Sequence, residues 1–302
     1  MNTKKLRNYV VRANEKGFFH WLPDKPCLCL LYWARMGSRL NLKNPRTFNE
    51  KLQWLKLYNR RPEYTTMVDK YEVKAYVASV IGEEYIIPTL GVWDRFEDID
   101  FDALPDRFVL KCTHDSGGLV IVRDKSQLDR KAAKSKIERS LRNDYYLHGR
   151  EWPYKNIKPR IIAEQYMSDG GDQTDIGDLT DYKCMCFHGN VENIFTMSER
   201  YSESGLKLTV FDKDWNRLSL GRNGSRSKEE IARPKNLEKM ILLAEKLSQG
   251  IPFLRVDFYE VAGKLYFGEL TFFPASGMKH FSPESWDLEL GQLIDLRQLK
   301  ES

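Results

Sequence analysis

Leu254-Arg255-Val256-Asp257-Phe258-Tyr259 and Phe267-Gly268-Glu269-Leu270-Thr271 read as the two arms of a β-hairpin that turns at Ala262-Gly263. Side chains alternate faces along a strand. Leu254, Val256 and Phe258 therefore share one face, and Arg255, Asp257 and Tyr259 the other. If Asp257 stands opposite Glu269, then Phe267, Glu269 and Thr271 join the Arg255 face. That face would gather a cation, two carboxylates and a hydroxyl on a rigid sheet. Paired carboxylates completed by phosphate oxygens are a usual way to hold Mg²⁺, which demands hard oxygen ligands. The plainer alternative is a salt bridge of Arg255 with Asp257 or Glu269 on a solvated face. Register separates the two. An odd-membered turn such as Ala262 to Lys264 puts both carboxylates on one face, whereas a two-residue turn pairs 257 with 268 and sends them apart.

The 302 residues, 41% apolar and 30% charged, suffice for a sizeable core and two or three lobes. No apolar run reaches the roughly 20 residues of a spanning helix. The basic start Met1-Asn2-Thr3-Lys4-Lys5 is followed by no apolar signal region. A cytoplasmic protein is expected, at most resting on the inner face of a membrane. Cys27, Cys29, Cys112, Cys184 and Cys186 are an odd set in a long chain, which argues against a disulfide scaffold. Their C-x-C spacing is tighter than that of zinc sites, and core filling is the better reading.

The net charge of +5 hides an asymmetry: residues 1–62 carry 14 Lys and Arg against 3 acids, interleaved with Phe18, Trp21, Trp33 and Trp54. Such a segment can face nucleic acid, an anionic membrane surface or a polyanionic substrate. It can equally be a helical lobe with an aromatic core and solvated lysines. No nucleic-acid partner is expected; the contact expected of this lobe is a peripheral one with a membrane.

Helical patterning covers most of residues 1–62, with Thr47 and Glu50 spaced as a capping box ahead of a helix. A second helix is expected from Lys70 to Val80, stopping near Gly82. Strands are expected over 86–93, 107–112, 121–123 and 160–167, with an amphipathic helix over 131–142. Ser168 to Asp181 reads as an acidic, Gly-rich loop. A hairpin follows over 182–197, then a strand near 209–211 and a basic loop over 219–227. A helix runs from Leu237 to Ser248, and a short one starts after Pro283. No internal repeat stands out.

Phe108-Val109-Leu110-Lys111 ends a strand in a lysine and enters Cys112-Thr113-His114-Asp115-Ser116-Gly117-Gly118. A strand lysine followed by a small Gly-containing loop is a way to wrap phosphates, because glycine lets backbone amides approach the anion. This is no Walker loop and there are no kinase triplets. Ile161-Ile162-Ala163-Glu164-Gln165-Tyr166-Met167, an apolar strand opening into a loop, could be an adenine shelf or any core strand. His114 reads as a phosphate contact or, more simply, as an exposed loop histidine. His188 reads as a turn residue.

Taken in order, Asp69-Lys70, Lys111 with its Gly loop, Glu164 to Met167, Asp181-Tyr182-Lys183, Asp257 and Glu269 resemble the ATP-grasp superfamily. More closely, the chain resembles the TupA-like ATP-grasp proteins of capsule and teichuronopeptide gene clusters. Asn44-Pro45-Arg46-Thr47-Phe48-Asn49-Glu50-Lys51-Leu52-Gln53-Trp54 and Phe267-Gly268-Glu269-Leu270-Thr271-Phe272-Phe273-Pro274 look like that family's two hallmarks. The resemblance runs from about 44 to 290.

It implies an α/β (α+β) ATP-grasp fold, two α+β lobes gripping ATP between antiparallel sheets, behind a helical N-terminal lobe. The corresponding division is 1–67 for the basic helical lobe, 68–106 for a linking segment, 107–167 for the small lobe and 168–302 for the C-terminal lobe with the metal site. By the same resemblance, Lys70 and Lys111 would contact ATP phosphates under the Ser116-Gly117-Gly118 loop. Glu164 would approach the adenine amino group, and Gln165, Tyr166 and Met167 would line the ring edge. Asp181 would take the ribose hydroxyls with Lys183 nearby. Asp257 and Glu269 would hold Mg²⁺. Arg255, with Lys111, would serve catalysis by stabilising an acyl phosphate. The family usually carries Asn where this chain has Thr271, a hydroxyl that can still ligate Mg²⁺.

The implied activity is that of an ADP-forming carboxylate–amine ligase. An amino acid or other amine would be joined to a uronic acid, itself nucleotide- or lipid-linked, of a surface polysaccharide. The loop 113–118, and 219–228 with it, would cover the intermediate against water. The competing reading is a glycosyltransferase of polysaccharide assembly, which needs a D-x-D site. Asp98-Ile99-Asp100 and Asp212-Lys213-Asp214 match that string.

Overall fold

The basic N-terminal segment folds as three helices, α1 (Thr3–Glu15), α2 (Asp24–Met36) and α3 (Phe48–Tyr58), in a computed structural model that describes residues 3–168, 179–198, 207–221 and 230–299. The capping box forms: Glu50 N–H donates to Thr47 Oγ1, and Thr47 N–H donates to Glu50 Oε2, each at 3.2 Å. α4 (Glu63–Val68) and α5 (Glu72–Ile81) follow. α5 starts later than its pattern predicts, because Asp69 Oδ1 accepts the N–H groups of Tyr71 and Glu72 at 2.8 and 3.1 Å. Lys70 is left in the preceding turn, its N–H on the Thr113 carbonyl at 3.0 Å.

β1 (Thr89–Trp93), β2 (Phe108–Cys112) and β3 (Leu119–Val122) lead to α6 (Arg130–Leu141), α7 (Tyr145–Gly149) and β4 (Ile161–Gln165). These strands make one antiparallel sheet in the order β1-β4-β2-β3. Ile137 and Ala133 of α6 pack on Phe108, Leu110, Ile161 and Ala163 to form its core.

A second antiparallel sheet, β7-β6-β5-β8-β9, is built from β5 (Asp181–Phe187), β6 (Asn190–Ser198), β7 (Lys207–Phe211), β8 (Phe253–Val261) and β9 (Lys264–Thr271). α8 (Leu237–Ser248) covers it, with Met240, Leu243 and Leu247 on Cys184, Cys186, Leu254 and Val256. The C-x-C cysteines of β5 are thus core fillers, and all five cysteines are free. α9 (Ser285–Gln292) closes against α3. Among the described residues no helix is long and apolar enough to cross a membrane.

The hairpin departs from both registers the sequence allows. β8 and β9 pair from Val261↔Lys264, so the turn is the two-residue Ala262-Gly263, with φ of 50° and 73° as a primed turn requires. An odd-membered turn is therefore wrong. The carboxylates meet nonetheless. The ladder skips one residue after Phe258↔Phe267, leaving Gly268 extra and Asp257 opposite Glu269. This is a β-bulge, which re-aims a side chain by one position. A Cβ on Gly268 would sit 3.1 Å from the Asp257 carbonyl oxygen, so glycine suits the bulge. The skip also moves Phe267 from its expected face: it lies opposite Phe258 and packs edge-on against it in the core.

One further tie positions the site. Ala275, Ser276 and Gly277 carry φ of 50°, 56° and 58°, three left-handed residues in succession. Their carbonyls are gathered by α3. Gln53 Nε2 donates to Gly277 O at 2.8 Å, and the fully buried Lys56 donates to Ser276 O and Gly149 O, both at 2.8 Å.

Candidate active site

A cavity of about 260 Å³ lies between the two sheets. From the first sheet's side come Lys111 of β2, Glu164 of β4, Ser116 and Gly118 of the β2–β3 loop, with Lys70 from the turn before α5 and Lys74 from its first turn. From the second sheet come Asp181 and Lys183 of β5, Asp257 of β8 and Glu269 of β9. Residues nearly 200 positions apart thus converge because the two sheets face each other here.

On the second sheet, charge alternates in a line. Lys183 Nζ lies 2.5 Å from both Asp181 and Asp257. Arg255 clasps Asp257 in a two-pronged pair at 2.7 and 2.8 Å and reaches Glu269 at 2.5 Å. Thr271 Oγ1 donates to Glu269 at 3.2 Å. The strand period sets this line: β5 pairs Lys183 with Asp257, and β9 pairs Glu269 with Asp257. Three carboxylates against two cations leave the row one charge negative, so it can accept a further cation.

The two metal candidates sit in different surroundings. Asp257 is 1% exposed, and burial raises its carboxyl to about 6 despite Arg255 and Lys183. The Glu269 side chain is 47% exposed. Its partial removal from water would raise its carboxyl, but Arg255, Lys183 and Lys70 override this and hold it at about 2. Glu269 therefore stays ionised with a face open to the cavity. Among the described residues no three His, Cys, Asp or Glu side chains form a ready metal cage. The donor set is two hard carboxylates beside a phosphate-sized space, which fits Mg²⁺ completed by phosphate oxygens.

The opposite wall is cationic. Glu164 accepts Lys74 and Lys111, each at 2.5 Å. Burial would raise its carboxyl, but the two lysines hold it at about 2. Lys74 is a site residue that sequence reading missed. Its signal was present: it falls four residues after Lys70, one helical turn on.

The Gly loop is fixed from behind. Ser140 donates to Asp115, Gly118 N–H donates to Asp115 Oδ1 at 3.1 Å, and Lys70 Nζ donates to the Asp115 carbonyl. The Ser116 and Gly117 amides donate to no described residue, which leaves them for an anion. His114 is neither exposed nor a phosphate contact. It is buried, with Nε2 at 3.1 Å from the carbonyls of Ser140 and Asn143.

A Cβ on Gly118 would lie 2.4 Å from Ser140 Oγ and 2.5 Å from Cys112 Sγ, while one on Gly117 meets only Asp115 at 3.5 Å. Gly118→Ala should therefore cost about 1–3 kcal/mol by overpacking and weaken nucleotide binding, whereas Gly117→Ala should leave both unchanged. Thermal melts with and without ATP read the difference. Equal behaviour of the two variants would refute the packing argument.

A second cavity, about 530 Å³, adjoins the first and shares Ser116 and Glu269 with it. Arg255 and Thr271 face this side, with Tyr145, Glu151, Tyr154 and Arg35. Gly117, Gln165, Tyr166 and Met167 line neither cavity, and the Gln165 N–H is spent on Pro88 O at 3.0 Å. The loop expected over 168–181 and the cover expected over 219–228 fall largely outside the described residues.

Neither D-x-D string lines either of these cavities. Asp212 Oδ1 accepts the N–H groups of Asp214 and Asn216 in a turn, at 3.0 and 2.8 Å. Asp100 does the same for Asp102 at 3.0 Å, and Ile99 is core. His188 occupies a turn with φ 48° and accepts Asp295 N–H at 2.9 Å.

Among solved structures, D-alanine–D-alanine ligase from Bacillus anthracis complexed with ATP is similar at 18% identity and a TM-score of 0.45, over 78% of this chain and 67% of that one. The D-alanine–D-alanine ligase from Helicobacter pylori follows at 15% and 0.42, over 82% and 69%. ATP-grasp ligase PsnB, complexed with minimal precursor, Mg and ADP, stands at 12% and 0.37, over 74% and 57%. No curated protein matches. The identification rests on the family model named TupA-like ATPgrasp, which matches residues 50–295. The chain belongs to the TupA-like ATP-grasp family and is an ATP-dependent ligase of the carboxylate–amine type.

Proposed function

We propose that the protein phosphorylates the carboxylate of a uronic acid in a surface polysaccharide precursor and couples it to an amino acid or other amine. The observation that carries this reading is the meeting of the two cavities at Ser116 and Glu269, with Arg255 behind. One cavity suits ATP, the other the carboxylate and amine, and the γ-phosphoryl group crosses between them.

In this reading Lys70, Lys111 and the Ser116 amide hold the phosphates. Glu164 fixes Lys74 and Lys111 on the wall opposite the carboxylates. Asp181 takes the ribose hydroxyls beside Lys183. Asp257 and Glu269, with the Thr271 hydroxyl, would hold Mg²⁺, which would neutralise charge on the phosphates. The substrate carboxylate attacks the γ-phosphorus, the bond to ADP breaks, and an acyl phosphate forms. Lysines and Arg255 stabilise the oxygens on which negative charge gathers, the main contribution in phosphoryl transfer. The amine then attacks the acyl carbon, loses a proton and expels phosphate, leaving an amide.

The test is ADP release from Mg·ATP with uronic acids crossed against amino acids and small amines. ADP and phosphate that appear only when both partners are present support the ligase and name its substrates. Release of UDP from UDP-sugars, with no ADP from any pair, would favour glycosyl transfer.

A further inference from the structure

The second cavity does not end at the catalytic wall. It shares Arg35, Met278 and Lys279 with a third, open groove of about 600 Å³ between α1, α2 and residues 278–280. A path therefore runs from Glu269 past Arg35 onto the N-terminal helices. Lys4, Asn8, Val11, Arg12 and Glu15 line it from one side of α1, at helical spacing. Glu15 is the one acid on this lining.

Not every cation here is available. Arg7 Nε and Nη2 cap the end of α2, donating to Ala34 O at 3.0 Å and Arg35 O at 3.2 Å. Arg12, Arg35 and Lys279 make no ion pair with any described residue. Arg35 is half-buried, and Glu151, the acid that feels its charge, feels that of Lys56 more strongly. A half-buried guanidinium without its own acid is costly unless a ligand anion completes it. α1 and α2 both precede residue 50, so two walls of the groove lie outside the span that the family model matches.

We propose that this groove binds the non-reacting part of the ligase's carboxylate substrate, and that the substrate is a linear chain bearing further carboxylates. The proposal rests on the ligase reading for the direction of the chain. A single uronic acid would occupy the second cavity alone and leave Arg12 unused. A chain that repeats the reacting group would lay successive carboxylates along Arg35, Lys279 and Arg12, an attraction that salt screens.

The experiment measures binding of labelled oligogalacturonates, one to eight residues long, to the full chain at low salt. Maltooctaose, polyphosphate of equal charge and anionic vesicles are the comparisons, and thermal midpoint and ATP affinity control for folding. The octamer is expected to bind about tenfold tighter than the monomer, and Arg12→Glu or Lys279→Glu to erase that advantage. Equal affinity at all lengths, or a length effect that both variants retain, overturns the proposal. So does preference for polyphosphate, or for vesicles, which would reassign the groove to a phosphate carrier or a membrane surface. ADP release with monomeric uronate but no length effect removes the groove alone. Length-dependent binding with no ADP from any pair removes the ligase reading while the groove stands.

Discussion

Glu269→Ala is expected to lower ADP release by about 10³-fold, roughly 4 kcal/mol of transition-state stabilisation, with the thermal midpoint held near that of the parent. The two halves of this expectation come from the same geometry. Glu269 is the carboxylate that borders both cavities, half-exposed and ionised. Its loss takes away the charge that would place a cation on the transferring phosphoryl group. Its loss from the charged row is benign, because Asp181, Lys183, Asp257 and Arg255 remain as two acids against two cations. Asp257→Ala differs: it removes the fully buried carboxylate that Lys183 and Arg255 share, a defect worth about 3–5 kcal/mol. Steady-state kinetics and melts on the Glu269 variant separate the cases. A rate within tenfold of the parent would sink the role given to Glu269.

The charged row shows what a sequence discloses and what it withholds. Alternation along β8 put Arg255 and Asp257 on one face, and period-two reasoning is enough for that. The meeting of Asp257 with Glu269 depends on the bulge at Gly268, which slips the ladder by one residue. A glycine in a strand hints at a bulge but does not say on which side of it the ladder slips. Strand order is also invisible in one chain. Nothing in Asp181-Tyr182-Lys183 announces that β5 lies beside β8, so Lys183 could be named but not placed between Asp181 and Asp257. His114 was misread because burial of a loop residue depends on the end of α6 and the turn after it, whose Ser140 and Asn143 carbonyls it meets. The basic lobe divides its aromatics: Tyr32 and Trp54 are core, while Phe18 and Trp21 are exposed. Composition could not separate these, since Tyr32 and Trp54 lie on packed helix faces while Phe18 and Trp21 lie in the connection between α1 and α2.

Glu164→Gln should cost about 3 kcal/mol of stability at pH 7 and weaken ATP about tenfold. Glu164 is 6% exposed at the centre of the first sheet's pairing, between β1 and β2. Its carboxyl titrates at about 2 in the fold against 4.5 for the free side chain. A depressed carboxyl stabilises the fold at pH values above 4.5, and that stability is lost as pH falls from 4.5 towards 2. The parent should therefore lose stability over that window, while the variant, with nothing to protonate there, follows a flatter curve. The two should converge near pH 2. At neutral pH the variant leaves Lys74 and Lys111 facing each other across an uncharged amide. Lys74 keeps the Ile87 carbonyl at 2.6 Å, but Lys111 loses its ion-pair partner, and with it the fixed position from which it would meet a phosphate. Weakened ATP with parental stability would mean that Glu164 serves the nucleotide alone. Parental ATP affinity with lost stability would confine the ion pairs to folding and take Lys111 out of the nucleotide site.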